Sequence, residues 1–316
     1  MEMGIDIGYG VTKAVRSDGQ VKHFRSVVGL GMPDTFGIAH DNFTVVRING
    51  ATYTVGEEAE KYRLPLITVR SRNSIESIAY RALLLACIGE DVSGRHAIVT
   101  GLPLGYYNPD KSRVVKKFRE TLPICEIKVV PQPLGTFYDL LFDDKGNVRH
   151  ADFMDRKIAV IDIGTYTTDL LVMDKATPVA GVSGYVEIGI DTLTKNIIKS
   201  LLPLRRNISS GEIEKAIKTN TIKKEGQEMD ISDIMAENKS AIAVNIWSWV
   251  QSRLGAEEDI DVLVLTGGGS EILSSYFVQG NIIMPNSPFL SNAMGFCKIA
   301  RRLYGKVDVS GQTQVL

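Results

Sequence analysis

The chain has 316 residues, of which 44% are hydrophobic and 23% charged, and its formal net charge is −1. That length exceeds one ordinary core and fits two domains of about 150 residues each. The near-neutral charge gives no electrostatic reason to expect direct contact with nucleic acid or with an anionic membrane. The three cysteines, Cys87, Cys125 and Cys297, stand far apart. Their spacing excludes a Cys-x-x-Cys zinc site and a disulfide framework, and favours a reducing, cytoplasmic compartment. No apolar run approaches the roughly 20 residues of a membrane helix. The opening Met3–Gly8 reads as strand and loop, with no secretion signal before it.

In chain order, Gly4–Ile7, Thr12–Arg16 and Val21–Phe24 read as short strands, with Ser17-Asp18-Gly19-Gln20 as a hairpin turn. Thr44–Ile48 and Thr52–Val55 flank a second such turn, Asn49-Gly50, within a small inserted subdomain at 31–73. Ser74–Ile88 has helical apolar spacing, and Ala97–Thr100 is a buried strand. Pro109–Thr121 is a polar helix with Asn108 as its cap. Ile127–Val130 is a strand and Leu134–Phe142 a helix. The polar stretch Asp143–Asp155 divides the chain into domains at 1–150 and 151–306. The second opens with a strand at Lys157–Ile161, a loop at Asp162-Ile163-Gly164 and a returning strand at Thr168–Met173. A helix at Gly189–Leu202 follows, then a charged, mostly helical subdomain at about 203–258 with a long helix near Ile234–Leu254. A strand at Val262–Leu265 and a helix at Ser291–Leu303 complete it, and residues 307–316 read as a polar tail.

Asp6–Lys13 (Asp-Ile-Gly-Tyr-Gly-Val-Thr-Lys) aligns with Asp162–Asp169 (Asp-Ile-Gly-Thr-Tyr-Thr-Thr-Asp), and both segments follow an apolar strand. Internal duplication is the reading that accounts for both. A strand ending in Asp and entering a Gly-containing hairpin lets backbone N–H groups converge on phosphate oxygens, glycine permitting positive φ and removing side chains. The carboxylate beside them needs a cation between itself and the phosphates, usually hydrated Mg²⁺. Either loop alone also reads as a plain β-hairpin. After the buried strand, Thr266-Gly267-Gly268-Gly269-Ser270 lets a flat group such as adenine approach bare backbone, or simply makes a tight turn before a helix at Ser270. No Gly-x-Gly-x-x-Gly and no Gly-Lys-Ser/Thr phosphate loop occurs.

Five segments in order resemble the actin superfamily of ATPases, which includes actin, sugar kinases and heat-shock chaperone ATPase domains. They are Asp6–Lys13, Val129–Gly135, Asp162–Asp169, Leu265–Ser270 and Ser291–Phe296. The Pro-Gln-Pro-Leu-Gly and Asn-Ala-x-Gly-Phe forms look like the plasmid-segregation branch (ParM/StbA) and archaeal actin-like relatives. The resemblance implies an α/β, ribonuclease H-like pair of duplicated domains holding ATP or ADP with Mg²⁺ in the cleft between them. Asp6 and Asp162 would hold the hydrated Mg²⁺. Gly8, Tyr9, Gly10, Thr12 and Lys13 would meet the phosphates from one side, and Gly164, Thr165, Tyr166 and Thr167 from the other. Tyr9 and Tyr166 depart from the family's small residues, so Tyr9 would act through its backbone N–H.

Gln132 would orient the attacking water, as phosphoryl transfer requires, or else cap the following helix. Gly267, Gly268 and Gly269 would line the adenosine. Glu212 and Glu214 fall on the helix that would contact ribose and base, or on a solvated helix face. Asp191 would lie near the nucleotide, or serve only the helix dipole. The four histidines and the pair Trp247 and Trp249 read as ordinary packing or surface residues. By resemblance the chain is a slow ATPase that assembles head to tail into filaments and meets DNA through an adaptor protein. The alternatives are a small-molecule kinase and a non-polymerising scaffold on the same fold.

Overall fold

The computed structural model describes residues 1–34, 43–69, 71–204, 208–255, 259–277 and 281–305. Parts of the expected insertion at 31–73, of the region 203–258 and the whole expected tail at 307–316 therefore lie outside the described residues.

Alternation of apolar residues makes β1 (Glu2–Ile7), β2 (Val11–Arg16) and β3 (Val21–Arg25) an antiparallel meander. A separate four-stranded sheet follows, from β4 (Val27–Leu30), β5 (Val45–Ile48), β6 (Ala51–Val55) and β7 (Leu66–Thr68), with α1 (Glu57–Lys61) between the last two. Asn49 and Gly50 both adopt positive φ, 52° and 81°, the conformation that a two-residue turn needs to match strand twist. The expected helix at Ser74–Ile88 is interrupted: a 3-10 turn at Arg72–Glu76 precedes α2 (Ile78–Ile88), because Ser77 is extended and its side chain caps Tyr80 N. Then come β8 (His96–Leu102), α3 (Leu104–Thr121), β9 (Cys125–Pro131) and α4 (Gln132–Leu141). The first large sheet has the order β3-β2-β1-β8-β9.

α3 begins at Leu104 with Pro103 as its N-cap residue, so Asn108 is not a cap and Pro109 lies inside the helix. At that position proline forfeits the bond to the Gly105 carbonyl one turn back.

The second half repeats the order. β10 (Lys157–Ile163) pairs antiparallel with β11 (Thr168–Asp174), which also meets β12 (Thr177–Pro178) and β13 (Gly184–Val186). α5 (Ile190–Leu201) and α6 (Ser210–Thr219) precede a hairpin of β14 (Thr221–Lys224) and β15 (Gln227–Asp230). This hairpin interrupts the stretch expected to be mostly helical. Its turn is Glu225-Gly226, both at positive φ. After α7 (Ser232–Leu254) come β16 (Val262–Thr266), α8 (Ser270–Leu273), β17 (Ile282–Ile283) and α9 (Ser291–Tyr304). The sheet order is β12-β11-β10-β16-β17, with β16 and β17 parallel to β10 as β8 and β9 are to β1.

One apolar core fills the first half around Met3, Ile5, Leu83 and Phe118, and another fills the second around Ile161, Leu170, Ile197 and Ile246. α4 and α9 cross between the sheets, where a Cβ on Gly295 would lie 1.7 Å from the Gly135 carbonyl oxygen. Only glycine at both positions allows that approach. Among the described residues, no helix is long and apolar enough to cross a membrane.

Candidate functional site: two facing hairpin loops

Asp6 is the penultimate residue of β1 and Asp162 that of β10, so both carboxylates emerge where a strand turns into its hairpin. Both are almost fully buried, at 1% and 5% exposure. Lys13 Nζ donates to Asp6 Oδ2 at 2.9 Å, and Gln132 Nε2 donates to Asp6 Oδ1 at 2.7 Å. Asn292 Nδ2 donates to Asp162 Oδ2 at 2.7 Å. Burial pushes the Asp162 carboxyl up to about 6, with the nearby Asp6 charge adding to the rise and the Asn292 hydrogen bond opposing it. Asp169, the cross-strand partner of Asp162, is raised to about 8, first by burial and then by the Asp162 charge.

The two loops touch. A Cβ on Gly10 would lie 2.4 Å from Thr165 Oγ1, and the rings of Tyr9 and Tyr166 meet edge to face at 5.3 Å. The structure revises why glycines occupy this region. Gly8, Gly10 and Gly164 are not among the residues with positive φ. They serve by lacking a Cβ, which would meet Val11 O at Gly8, Thr165 at Gly10 and Thr167 O at Gly164.

In the third turn, Gly267 does adopt positive φ (84°), and a Cβ there would lie 2.3 Å from Asp162 Oδ1. A Cβ on Gly269 would lie 2.3 Å from Ile163 Cγ2. These two glycines thus pack against the second loop's strand. At Gly268 the neighbour is the Phe289 ring, 3.5 Å from the Cβ position. Phe289 also lies under Lys13 Nζ (4.9 Å to the ring centroid) and against His23 (5.6 Å).

Other expected contacts find structural partners. Thr12 is fully buried and its Oγ1 lies 2.9 Å from Ser26 Oγ, which in turn donates to Gly8 O. Its hydroxyl therefore braces the first loop from inside. Thr167 Oγ1 donates to Asp169 Oδ2 at 3.2 Å, while Thr165 O accepts from Asp191 N at 2.8 Å. The Asp191 carboxylate pairs with Lys195 at 2.6 Å. Glu212 closes a capping box, its Oε2 accepting from Ser209 N and Oγ at 2.9 Å. Glu214 reaches across to Arg25 Nη1 at 2.8 Å, and Arg25 also pairs with Glu60 at 3.0 Å. Gln132 is the first residue of α4 and makes no capping bond; its amide is spent on Asp6.

Two large cavities flank the loops and share no lining residue with each other. The larger, about 1230 Å³, is bordered by His23, Phe24, Arg25, Glu214, Lys218 and Phe289. The smaller, about 680 Å³, is bordered by Tyr9, Arg72, Tyr106, Tyr166, Thr167 and Asp191. Among the described residues no group of three or more His, Cys, Asp or Glu side chains is placed to hold a metal ion. The oxygen-only pair Asp6 and Asp162 nevertheless fits Mg²⁺, which binds through one or two carboxylates and takes its other ligands from water and phosphate.

The site also takes in Asn292, Asp169, Phe289 and Arg25, none of them an expected site residue. Asp169 was open to discovery from the duplication, because it stands seven residues after Asp162 as Lys13 does after Asp6. Asn292 stands in the Ser291–Phe296 segment, but nothing local gives it a carboxylate partner, and nothing local marks Phe289 or Arg25.

Two family models match the chain. Residues 4–135 match the N-terminal domain of actin like proteins, and residues 160–279 match the C-terminal domain of the archaeal actin homologue, MreB-like. No curated protein matches the sequence. Among solved structures, the archaeal actin homolog Ta0583 superposes with a TM-score of 0.80 at 20% identity, covering 95% of this chain and 99% of that one. Its complex with ADP gives 0.75 at 21% identity, covering 96% and 100%. A protomer of a 15-stranded ParM filament from Clostridium botulinum gives 0.75 at 19% identity, covering 95% and 98%. With an actin-like match in each half and the same two-domain α/β fold over nearly its whole length, the chain belongs to the actin-like proteins.

Proposed function

We propose that this protein binds ATP with Mg²⁺ between its two hairpin loops, hydrolyses it slowly and assembles head to tail into filaments. The observation that carries the reading is the pair of buried carboxylates, Asp6 and Asp162, at the ends of duplicated strands whose glycine-containing loops face each other. An ADP complex of the similar archaeal actin homolog supports nucleotide as the ligand. Asp6 and Asp162 would hold the Mg²⁺, which, when bound, neutralises phosphate charge that the carboxylates would otherwise repel.

Each residue's share follows from its place. Lys13, now ion-paired with Asp6, would turn to a phosphate oxygen. The backbone N–H groups of Gly8, Tyr9, Gly10, Gly164, Thr165 and Tyr166 would supply the remaining donors. Gln132 lies against Asp6 and carries no charge, so it would orient water without serving as a strong base, and hydrolysis would be slow. Glu214 and Asp191 border the two cavities and would approach the nucleotide from opposite sides. The ParM filament among the similar structures supports self-assembly through heterologous contacts that do not close into a ring. The Pro-Gln-Pro-Leu-Gly and Asn-Ala-x-Gly-Phe segments favour a DNA- or plasmid-segregation role with a DNA-bound adaptor over other cytoskeletal roles.

Light scattering, sedimentation and phosphate release, each with and without Mg-ATP, test this reading. The expected outcome is nucleotide-dependent polymer with slow phosphate release. Absence of polymer at every concentration, together with phosphoryl transfer to a sugar or to acetate, would instead identify a small-molecule kinase on the same fold.

A further inference from the structure

The duplication extends beyond the loops to the helices that follow them. Gln132, the first residue of α4, donates its amide to Asp6 at 2.7 Å. Asn292, the second residue of α9, donates its amide to Asp162 at the same 2.7 Å. Each duplicated strand-end carboxylate thus receives one side-chain amide from the start of one crossing helix.

Asn292 is 5% exposed, and both ends of its amide are engaged. Its Oδ1 accepts from Thr136 N at 3.2 Å and from Thr136 Oγ1 at 2.8 Å. These partners fix which way the amide points. Reversing it would set NH₂ against the Thr136 N–H and turn a carbonyl oxygen towards a carboxylate. Thr136 lies on α4 four residues after Gln132, on the same face of that helix. Thr266, at the end of β16, closes the network with its Oγ1 3.0 Å from that of Thr136. A continuous path therefore runs from Asp6 through Gln132, α4, Thr136 and Asn292 to Asp162. It joins two carboxylates that belong to different sheets.

Anchoring α9 to α4 does not require Asn292. Lys298 Nζ donates to Asp139 Oδ1 at 2.6 Å and to Asp139 O at 2.9 Å, and Ser291 Oγ donates to Asp139 Oδ2 at 2.7 Å. That buried set, with the Gly135–Gly295 contact, holds the helices together without touching either acidic loop residue.

We propose that Asn292 is a positioning residue for the nucleotide site: it orients the Asp162 carboxylate and ties it, through Thr136, to the helix that carries Gln132. The proposal rests on the reading that Asp162 serves Mg²⁺-dependent nucleotide binding. An outer partner of a metal-binding carboxylate is worth about 10- to 100-fold in affinity when removed. Its loss should fall on the part of binding that depends on the metal and leave the rest.

The test is calorimetric titration of ADP into the full chain, in excess Mg²⁺ and again in EDTA. For the wild type, ADP should bind more tightly with Mg²⁺. Asn292→Ala should reduce that Mg²⁺-dependent gain by about tenfold while changing affinity in EDTA by no more than about threefold. Thr136→Val retains the backbone N–H to Asn292 and should fall between. Ser291→Ala should lower thermal stability and leave the gain intact. If Asn292→Ala keeps the wild-type gain, or if it and Ser291→Ala weaken both affinities alike, the residue is merely structural and the proposal fails. Should Asn292→Ala not fold, Thr136→Val decides: an unchanged gain overturns the link. A wild type that binds no ADP in either condition refutes the nucleotide reading itself, a result distinct from the others.

Discussion

Asp6 and Asp162 occupy matching places in two copies of one strand-and-hairpin unit, yet their cross-strand partners have opposite charge. Asp6 pairs in register with Lys13, Asp162 with Asp169. The first carboxylate is therefore neutralised within its own hairpin, at 2.9 Å. The second faces another acid, and burial drives both of that pair towards the protonated form, at about 6 and about 8. Duplicated backbone with divergent charge makes one loop self-sufficient and leaves the other in need of a cation or a proton. On the proposed function, the larger electrostatic consequence of Mg²⁺ binding would therefore fall on Asp162.

The largest expected effect comes from neutralising each acid in turn. Asp6→Asn strands Lys13, whose side chain is 12% exposed, without its counter-ion. It should destabilise the protein by about 3 kcal/mol, the typical cost of removing one member of a buried pair. Asp162→Asn removes a carboxylate that burial disfavours and keeps the shape that accepts from Asn292. It should leave the nucleotide-free protein as stable as the wild type or more so, while abolishing the Mg²⁺-dependent part of ADP binding. Urea unfolding of both variants checks the first claim. Equal losses of stability would show that the two hairpins are energetically alike.

Gln132→Ala probes the helix side of the same comparison. Hydrolysis should slow about 100-fold, the scale of a mispositioned reactant, with ATP affinity changed by less than about threefold. Single-turnover phosphate release and nucleotide titration separate the two quantities. A large loss of affinity would mean that Gln132 is chiefly a support for Asp6.

Much of this arrangement was legible in the sequence because it is local. The eight-residue repeat at Asp6 and Asp162, the Asn49-Gly50 hairpin and the apolar strands each carry their signal within a few residues. The start of α3 was misread because Pro109 and Asn108 imitate a helix N-terminus, whereas the real first turn is held from the other half, by Asp169 Oδ1 accepting from Leu104 N at 2.7 Å. The hairpin at Thr221–Asp230 escaped because its charged residues lack the apolar alternation of a buried strand. The glycine run at Gly267–Gly269 is plain in the sequence, but what Gly267 and Gly269 face, Asp162 and Ile163, is a tertiary fact. Asn292 lies 130 residues from Asp162, a separation at which no spacing rule operates.

Asp169 offers a smaller, pH-dependent test. Its folded-state value of about 8 lies above the ordinary 3.8, so the native protein holds the proton more tightly than the unfolded chain. Stability should accordingly be greatest at low pH as far as this group is concerned. It falls as pH rises from about 4 to about 8, with Asp162 adding to the fall up to about 6. Between pH 7 and pH 9 the loss from Asp169 should be about 1 kcal/mol. Asp169→Asn, which can accept from Leu104 N and donate to Thr167 Oγ1, should flatten that segment. Denaturant midpoints at the two pH values measure it, and an unchanged slope would place the burden elsewhere.

The smallest effect concerns the one feature the loops share at their tips. Tyr9 and Tyr166 meet edge to face at 5.3 Å, so both copies contribute a ring to one contact across the cleft. Such a pair is worth about 1 kcal/mol beyond the area it buries. A double-mutant cycle with Tyr9→Ala and Tyr166→Ala should return a coupling of about that size in the nucleotide-free protein. Because the rings cap loops that a polyphosphate would have to part, the coupling should shrink towards zero in saturating Mg-ADP. Coupling that persists unchanged would mean the loops stay in contact with nucleotide bound, and the phosphates would then have to sit to one side of the tyrosine pair, against either Phe289 or Arg72.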